Sequence, residues 1–459
     1  MIKQLVTSAI FIASAISVKA QYNFSQIHNQ HAHNLASSQL PSLLGDDMRT
    51  GEIHLLNLYG GFANNFISAY DLQQFSQSGN LSNTYIDNVL NKMPKEATLW
   101  AGADLPIFNI FFNVNKKARE PFLSFGIGMR ERVDFSMTMN KDLFSLIYKG
   151  NKQFADQTVN LSPSLNFLFY NEYFLAAAAQ LKLPDIGKLK TITIKPAVRL
   201  RMLNGMASIY MPDSHIDMYT HPDGRYIDFT TSLQANMSSA VDTPDFESTL
   251  DNIDLQSFKS SGKGFGMDLG VGVTLFENFQ AHLGLIDMGS INFNRNTINY
   301  TKNDTYTYDG IDINQQGDAI NTGNLDEMLQ PEKTYNSYKM PLPTKLILSG
   351  SYQYRKKAKR KVTYFVHNVS VTYVQGFRNY LSSTKKPALN VGYAYNFKNL
   401  VNTGASFTVG GVNKVMAGAH LGFRLGAIKL GLASNNFLPL LSAKAGRGTD
   451  FNMYLGFYF

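Results

Sequence analysis

The sequence predicts an all-β fold: a transmembrane antiparallel β-barrel of about fourteen strands, with long extracellular loops that carry short helices. Three observations predict it. Apolar residues alternate with small or polar ones along many segments, the segments are joined by links that are alternately short and long, and the chain ends inside such a segment at Phe459.

The chain opens with Lys3, an apolar run from Leu5 to Ile16, and Val18-Lys19-Ala20 before Gln21. A basic start, a short apolar stretch and small residues before the cut predict a secretory signal peptide over 1–20, cleaved after Ala20. The run is too short to span ~30 Å of hydrocarbon as a helix. Residues 21–50 are read as a periplasmic or plug segment and 51–459 as the barrel.

Alternation places strands at about 52–69, 97–114, 120–137, 158–182, 189–210, 263–276, 279–298, 342–355, 361–378, 387–396, 401–411, 414–424, 427–434 and 449–459. The pattern is plainest where Phe265, Met267, Leu269, Val271 and Val273 face away from Gly266, Asp268, Gly270, Gly272 and Thr274. Links after the even strands are short, whereas those after the odd strands are long apart from 412–413. Short turns on the periplasmic side and long loops outside give this asymmetry, and an even count leaves both ends of the barrel in the periplasm. Within the loops, Ser82 is placed to cap a helix over Thr84 to Met93, and Asn324 to open one over Leu325 to Leu329. His221-Pro222-Asp223-Gly224 predicts a hairpin turn between Ile216 to Tyr219 and Tyr226 to Thr230.

In the last strand Phe451, Met453, Leu455, Phe457 and Phe459 share one face. That terminal strand is similar to the C-terminal signal read by the barrel-assembly machinery, which is therefore an expected partner together with outer-membrane lipid. Composition agrees with the fold: 32 Phe, 24 Tyr and 35 Gly suit strands. A mean hydropathy of −0.17 is compatible with a wall only half of whose residues meet lipid. The chain has no cysteine, so thiolate metal sites and cysteine nucleophiles are excluded. Its +8 charge forms no basic stripe interleaved with aromatics, so nucleic acid is not an expected partner. Basic clusters at Lys116, Lys117 and Arg119, and from Arg355 to Lys361, fall in expected periplasmic turns.

Three segments carry a family resemblance: Leu143 to Asn151 (LFSLIYKGN), Pro341 to Tyr352 (PLPTKLILSGSY) and Leu432 to Pro439 (LASNNFLP). In these, in its leader and in its spacing the chain resembles a Bacteroidota outer-membrane family of unknown function, related in architecture to FadL-like and PorV-like barrels. It departs from such families near the mature N-terminus, where Asn34-Leu35-Ala36 stands in place of Asn-Pro-Ala. The resemblance implies a fourteen-stranded barrel in the outer membrane and no agreed substrate.

If the apolar faces meet lipid, the lumen receives Arg130, Arg132, Asp134, Lys195, Arg199, Arg201, Asp268, His420 and Arg424. Cations outnumber anions in that set, a balance that suits anionic solutes or an acidic plug. The simpler reading, which is favoured, is mutual neutralisation among these groups, the loops and the N-terminal segment. Inward glycines at 126, 128, 266, 270, 272, 418, 422 and 456 either ease strand coiling, the favoured reading, or make room for a ligand or for residues 21–50. His28, His31 and His33 form the one histidine cluster, a weak metal candidate because no carboxylate or thiolate beside them completes a shell. No cofactor is expected.

Catalytic motifs are absent: there is no G-x-S-x-G, H-E-x-x-H or phosphate-binding G-x-x-x-x-G-K-[ST]. A hydrolase could still be assembled from separate strands, with His282, His367 and His420 and strand serines such as Ser349, Ser370 and Ser406 as candidates. The functional expectation is a non-enzymatic barrel, with transport or channel activity toward a small or amphipathic ligand as the first reading. The second is a non-transporting subunit of a secretion or envelope-assembly complex with other envelope proteins as partners, and the third an outer-membrane lipid-modifying enzyme.

Overall fold

The computed structural model describes residues 24–46, 50–77, 83–117, 120–184, 192–212, 214–223, 226–240, 259–308, 330–357 and 363–459. Fourteen strands form the wall. They are β1 (Gly51–Asn64), β2 (Glu96–Lys117), β3 (Glu120–Asn140), β4 (Ser164–Ala179), β5 (Thr193–Tyr210), β6 (Gly262–Leu275), β7 (Phe279–Phe293), β8 (Lys345–Lys357), β9 (Thr363–Gly376), β10 (Ala388–Phe397), β11 (Val401–Gly410), β12 (Val415–Leu425), β13 (Ile428–Ser434) and β14 (Gly448–Tyr458). Each pairs antiparallel with the next, and β14 returns to β1 from Glu52↔Tyr458 to Ala63↔Gly448, which closes the barrel. Closure matters because hydrocarbon offers no partner for an edge N–H or C=O.

The wall obeys the predicted alternation. Met202, Phe265, Val391, Phe407 and Phe451 are exposed on the outside, while Asp268, Asn390, Asn402 and Asn452 between them are buried on the inside. No helix among the described residues is long and apolar enough to cross a membrane, so the strands alone provide the spans.

The predicted strand 52–69 ends early, at Asn64, and two others run on into separate strands. The segment 158–182 breaks at Leu161-Ser162-Pro163, where Pro163 has no N–H to give to a ladder. The segment 279–298 breaks before Asn296, which adopts φ +50°. In both cases the detached part joins a sheet on the loop side of the barrel. Gln157–Asn160, His215–Thr220, Ile227–Ser239, Thr297–Tyr308 and Glu332–Thr334 pair in that order. Ile227–Ser239 also pairs with β5, so this sheet is continuous with the wall. His215–Thr220 and Ile227–Ser239 form the hairpin expected around His221-Pro222.

Helix α1 (Asn83–Lys92) lies where Thr84 to Met93 was expected, although Ser82 is outside the described residues, as are 324–329. Sequence reading did not anticipate the helices Ala69–Gln77 and Lys141–Lys149. The loop helices pack over a small apolar core of Phe66, Leu90, Met93, Leu99, Met139 and Phe144.

Candidate functional site: a chamber in the barrel lumen

The lumen is filled by two inserts, one from each end. The first is the N-terminal segment, whose helical turns Phe24–His28, His33–Ala36 and Pro41–Leu43 are buried almost throughout. Its direction follows from its partners. The Ser25 amide donates to Asn435 Oδ1 at 2.7 Å beside the last long loop, Gln26 reaches Asn57, Asn29 donates to Tyr454 at 2.9 Å, and Asn34 donates to Glu52 at 2.6 Å near the rim that carries the short turns. The wall is shaped for this insert. A Cβ on Gly270 would stand 3.0 Å from the Pro41 ring, and one on Gly272 would stand 3.2 Å from Ser42 Cβ. At Gly270 glycine makes room for the N-terminal segment, whereas at Gly272 the nearest neighbour is His282 of the adjacent strand, with Nδ1 at 3.0 Å and Ser42 just beyond it.

The second insert is the loop between β9 and β10, which folds inward although its place after an odd-numbered strand predicted an external loop. Tyr380 and Ser383 exchange backbone hydrogen bonds at 3.0 and 2.9 Å, and Leu381 takes φ +47° at the tip. The turn crosses to the opposite wall: the Leu381 amide donates to Ser136 Oγ at 2.9 Å and the Ser382 amide to Asp134 at 3.2 Å. Tyr380 and Leu381 pack with Leu168, Tyr170, Ile291, Phe293 and Met340 above the chamber.

Between the inserts remains a cavity of about 70 Å³, bordered by Gln26, Leu35 and Gln39 below and Ser382 above. Its wall is an ionic network. Glu172 on β4 accepts from Arg130 at 2.9 and 3.0 Å, Arg199 at 3.2 Å and Arg201 at 3.3 Å. Arg201 also bonds Asp268 at 2.8 Å and Asp287 at 2.7 Å, Arg132 bonds Asp287 at 2.8 Å, and Arg130 bonds Asp104 at 3.1 Å. Asp134 accepts from Trp100 Nε1 at 2.7 Å, and Lys345 donates to Ser382 Oγ at 2.8 Å. Arg199 also lies over the Phe174 ring, 3.6 Å from its centroid, a cation–π contact.

Of the predicted lumen charges, Arg130, Arg132, Asp134, Arg199, Arg201 and Asp268 meet in this network. Lys195 sits lower, on Asp46 of the N-terminal segment at 2.6 Å. Burial acts to raise the Asp46 carboxyl, but the Lys195 ammonium and then His33 outweigh it and hold it below its usual range. His420 bonds Asn402 at 3.0 Å, and Arg424 stacks on Tyr458 at 3.7 Å, both away from the chamber.

Sequence reasoning missed Asp104, Glu172, Asp287 and Lys345. Glu172 follows the alternation Tyr170, Glu172, Phe174 and was legible in principle. Asp287 was not, because it sits at φ +55° in a bulge where the alternation fails. With these included, Arg130, Arg132, Arg199, Arg201 and Lys345 face Asp104, Asp134, Glu172, Asp268 and Asp287. The network as a whole is therefore balanced in charge, although the groups that border the cavity itself, Arg130, Arg132, Arg199 and Lys345 with Asp104 and Asp287, keep a cationic excess.

The histidines separate. His28 lies between Ser370 at 2.7 Å and Asn390 at 2.5 Å, His31 is buried in its own turn, and His33 faces Asp46 at 4.0 Å. No group of three potential metal ligands forms among the described residues. The Ser–His pairings considered do not assemble either, since His282 bonds Ser42 at 2.9 Å, His367 bonds Tyr393 at 2.8 Å and Ser349 bonds Thr372 at 2.9 Å. The side chains of Lys116, Lys117 and Arg119, and those of 356–361, lie outside the described set.

One seam of the wall beside the chamber is incomplete. β1 and β2 pair from Gly51↔Phe112 to His54↔Asn109 and again from Tyr59↔Asp104, but residues 55–58 and 105–108 have no partners across the seam. Each strand bulges there toward its other neighbour, β1 at Leu55 and β2 at Ile107. Pro106 supplies a local cause, because it has no N–H to donate and favours bulges. Leu55, Leu105, Ile107 and Phe108 are exposed on the lipid side, whereas Asn57, Pro106 and Asn109 line the chamber.

The sequence matches the model of a family described as "Family of unknown function (DUF5723)" over residues 50–435. The chain belongs to this family. In this DUF5723 member the match spans β1 through β13, and so all of the chamber wall except β14. No curated protein sequence matches the chain. Among solved structures the barrel is similar to the toluene transporter TodX of P. putida, at 10% identity over 93% of this chain and 94% of that one, with a TM-score of 0.40. It is also similar to the translocator domain of the autotransporter NalP from Neisseria meningitidis (8% identity, 95% and 99% covered, TM-score 0.36). A third is the monoaromatic hydrocarbon channel CymD (10% identity, 92% of each chain, TM-score 0.33).

Proposed function

We propose that this DUF5723 barrel is a non-enzymatic outer-membrane channel for a small amphipathic ligand, closed in the state described, with the central chamber as its binding compartment. The observation that carries the reading is the unpaired seam between β1 and β2. It sets apolar side chains on the lipid face directly against a polar chamber, so a molecule with an apolar body and a polar head finds both environments across one strand. The two inserts would act as gates, and the Bacteroidota outer membrane, reached after cleavage behind Ala20 and insertion by machinery reading Phe451 to Phe459, is the proposed location. The segment 21–50 is proposed as a plug domain.

The absence of native cysteines allows a clean test. Cysteines replacing Leu381 and Ser136 are expected to cross-link the inward loop to the opposite wall. Proteoliposomes of the full chain should pass hexanoate, oxidation of the double variant should suppress the flux, and reduction should restore it. Flux that ignores the cross-link, or none in any redox state, would remove the channel reading. The filled lumen and the sheet standing beyond the wall support a second reading, a non-transporting subunit whose outer sheet engages another envelope protein. Co-purification of a stoichiometric partner together with absent flux would favour it.

A further inference from the structure

Below the chamber, at the periplasmic end of β4 to β8, lies a separate vestibule of about 480 Å³ between the N-terminal segment and the wall. That is within the range of roughly 300–1,000 Å³ typical of small-molecule sites. The cations bordering it are Lys182, Lys195 and Arg355, and the carboxylates are Asp46 and Glu277. Lys195 is taken by Asp46 at 2.6 Å. Arg355 hydrogen-bonds only the neutral Gln353 Oε1, through Nε at 3.1 Å and Nη2 at 2.6 Å; among the described residues no carboxylate lies in ion-pair contact with it, and Asp46 and Glu277 act on it only at longer range. Gln353 in turn donates to Gln280 at 3.0 Å, which fixes the fork from behind. His282 on the same border has Nδ1 engaged by Ser42 and its buried Nε2 without a hydrogen-bond partner.

We propose that this vestibule is a binding site for an oxyanion group, carboxylate or phosphate, with Arg355 as its principal ligand and the His282 Nε2 edge as a second polar contact. A guanidinium whose Nε side is braced by Gln353 retains donors in a fixed fork suited to such a group. The site is independent of the channel reading, because it opens to the periplasm below the N-terminal insert and needs no gate to move.

Equilibrium dialysis of the detergent-solubilised full chain with radiolabelled inorganic phosphate should show saturable binding in the millimolar range or tighter. Arg355→Gln should weaken it by about tenfold or more. Lys339→Gln, which removes a cation of the extracellular side, should leave it unchanged, and Thr274→Trp, which narrows the vestibule, should reduce it. A parallel arm measures retention of phosphatidylglycerol against phosphatidylcholine in nanodiscs by native mass spectrometry. Arg355-dependent retention of the anionic lipid with no free-phosphate binding would assign the oxyanion to a headgroup. Equal behaviour of Arg355→Gln and Lys339→Gln in both arms, with both variants folded by heat-modifiable gel mobility, would overturn the proposal.

Discussion

Glu172 shows how much one side chain decides at the smallest scale. It is wholly buried and accepts from Arg130, Arg199 and Arg201, so its charge lets three guanidinium groups share a dry interior. Removing one member of a buried ionic set leaves the others uncompensated, which costs roughly 3–5 kcal/mol. Glu172→Gln keeps the shape and removes the charge, so its urea midpoint in micelles is expected to fall by that equivalent; an unchanged midpoint would show that the network contributes nothing net to stability. Asp46 allows a pH prediction. Its carboxyl is depressed in the folded state, so its contribution is present above the ordinary value of 3.8 and is lost as pH falls through the lower folded value. Acid is therefore expected to loosen the Lys195–Asp46 seat, and protease access to residues 24–46 should rise on acidification in wild type but not in Asp46→Asn.

Among elements, the strands were the legible part. Alternation at Phe265 to Thr274 and the closing run to Phe459 gave the wall faces, because each strand meets two solvents and period two records them directly. What alternation cannot record is a bulge, and the bulges are where the chamber is built: Asp287 enters through one and the β1–β2 seam opens at two others. Hydrogen exchange should show the consequence, with protection over 55–58 and 105–108 lower than over 51–54 and 109–112. Pro106→Val restores a donor in the seam, and increased protection there together with slower hexanoate flux is the expected outcome. Uniform protection along β1 and β2 in the wild type would remove the seam as a route. The β9–β10 loop was equally hidden, since its inward course depends on Ser136 and Asp134, more than two hundred residues earlier in the chain.

For the whole molecule, the barrel and its N-terminal insert form one packed interior. Phe24, Ile27, Leu40 and Leu43 share an apolar core with Ile286, Ile347, Val374 and Met416 of the wall. Deleting residues 24–46 should therefore do two things together: raise the swelling rate of proteoliposomes in small neutral solutes and lower the temperature at which the barrel loses heat-modifiable mobility. A deletion that leaves permeability unchanged would show that the inward loop alone closes the pore.

The sequence by itself determined the number of strands, which face of each meets lipid, which ends carry the long loops and most of the cations of the lumen. These follow from local periodicity, which every strand carries in its own residues. Only the tertiary structure decided that two inserts enter the lumen, that its buried charges join in one network, and that one seam is left unpaired. Each of these depends on side chains brought together from distant strands, and on backbone departures that no local pattern encodes.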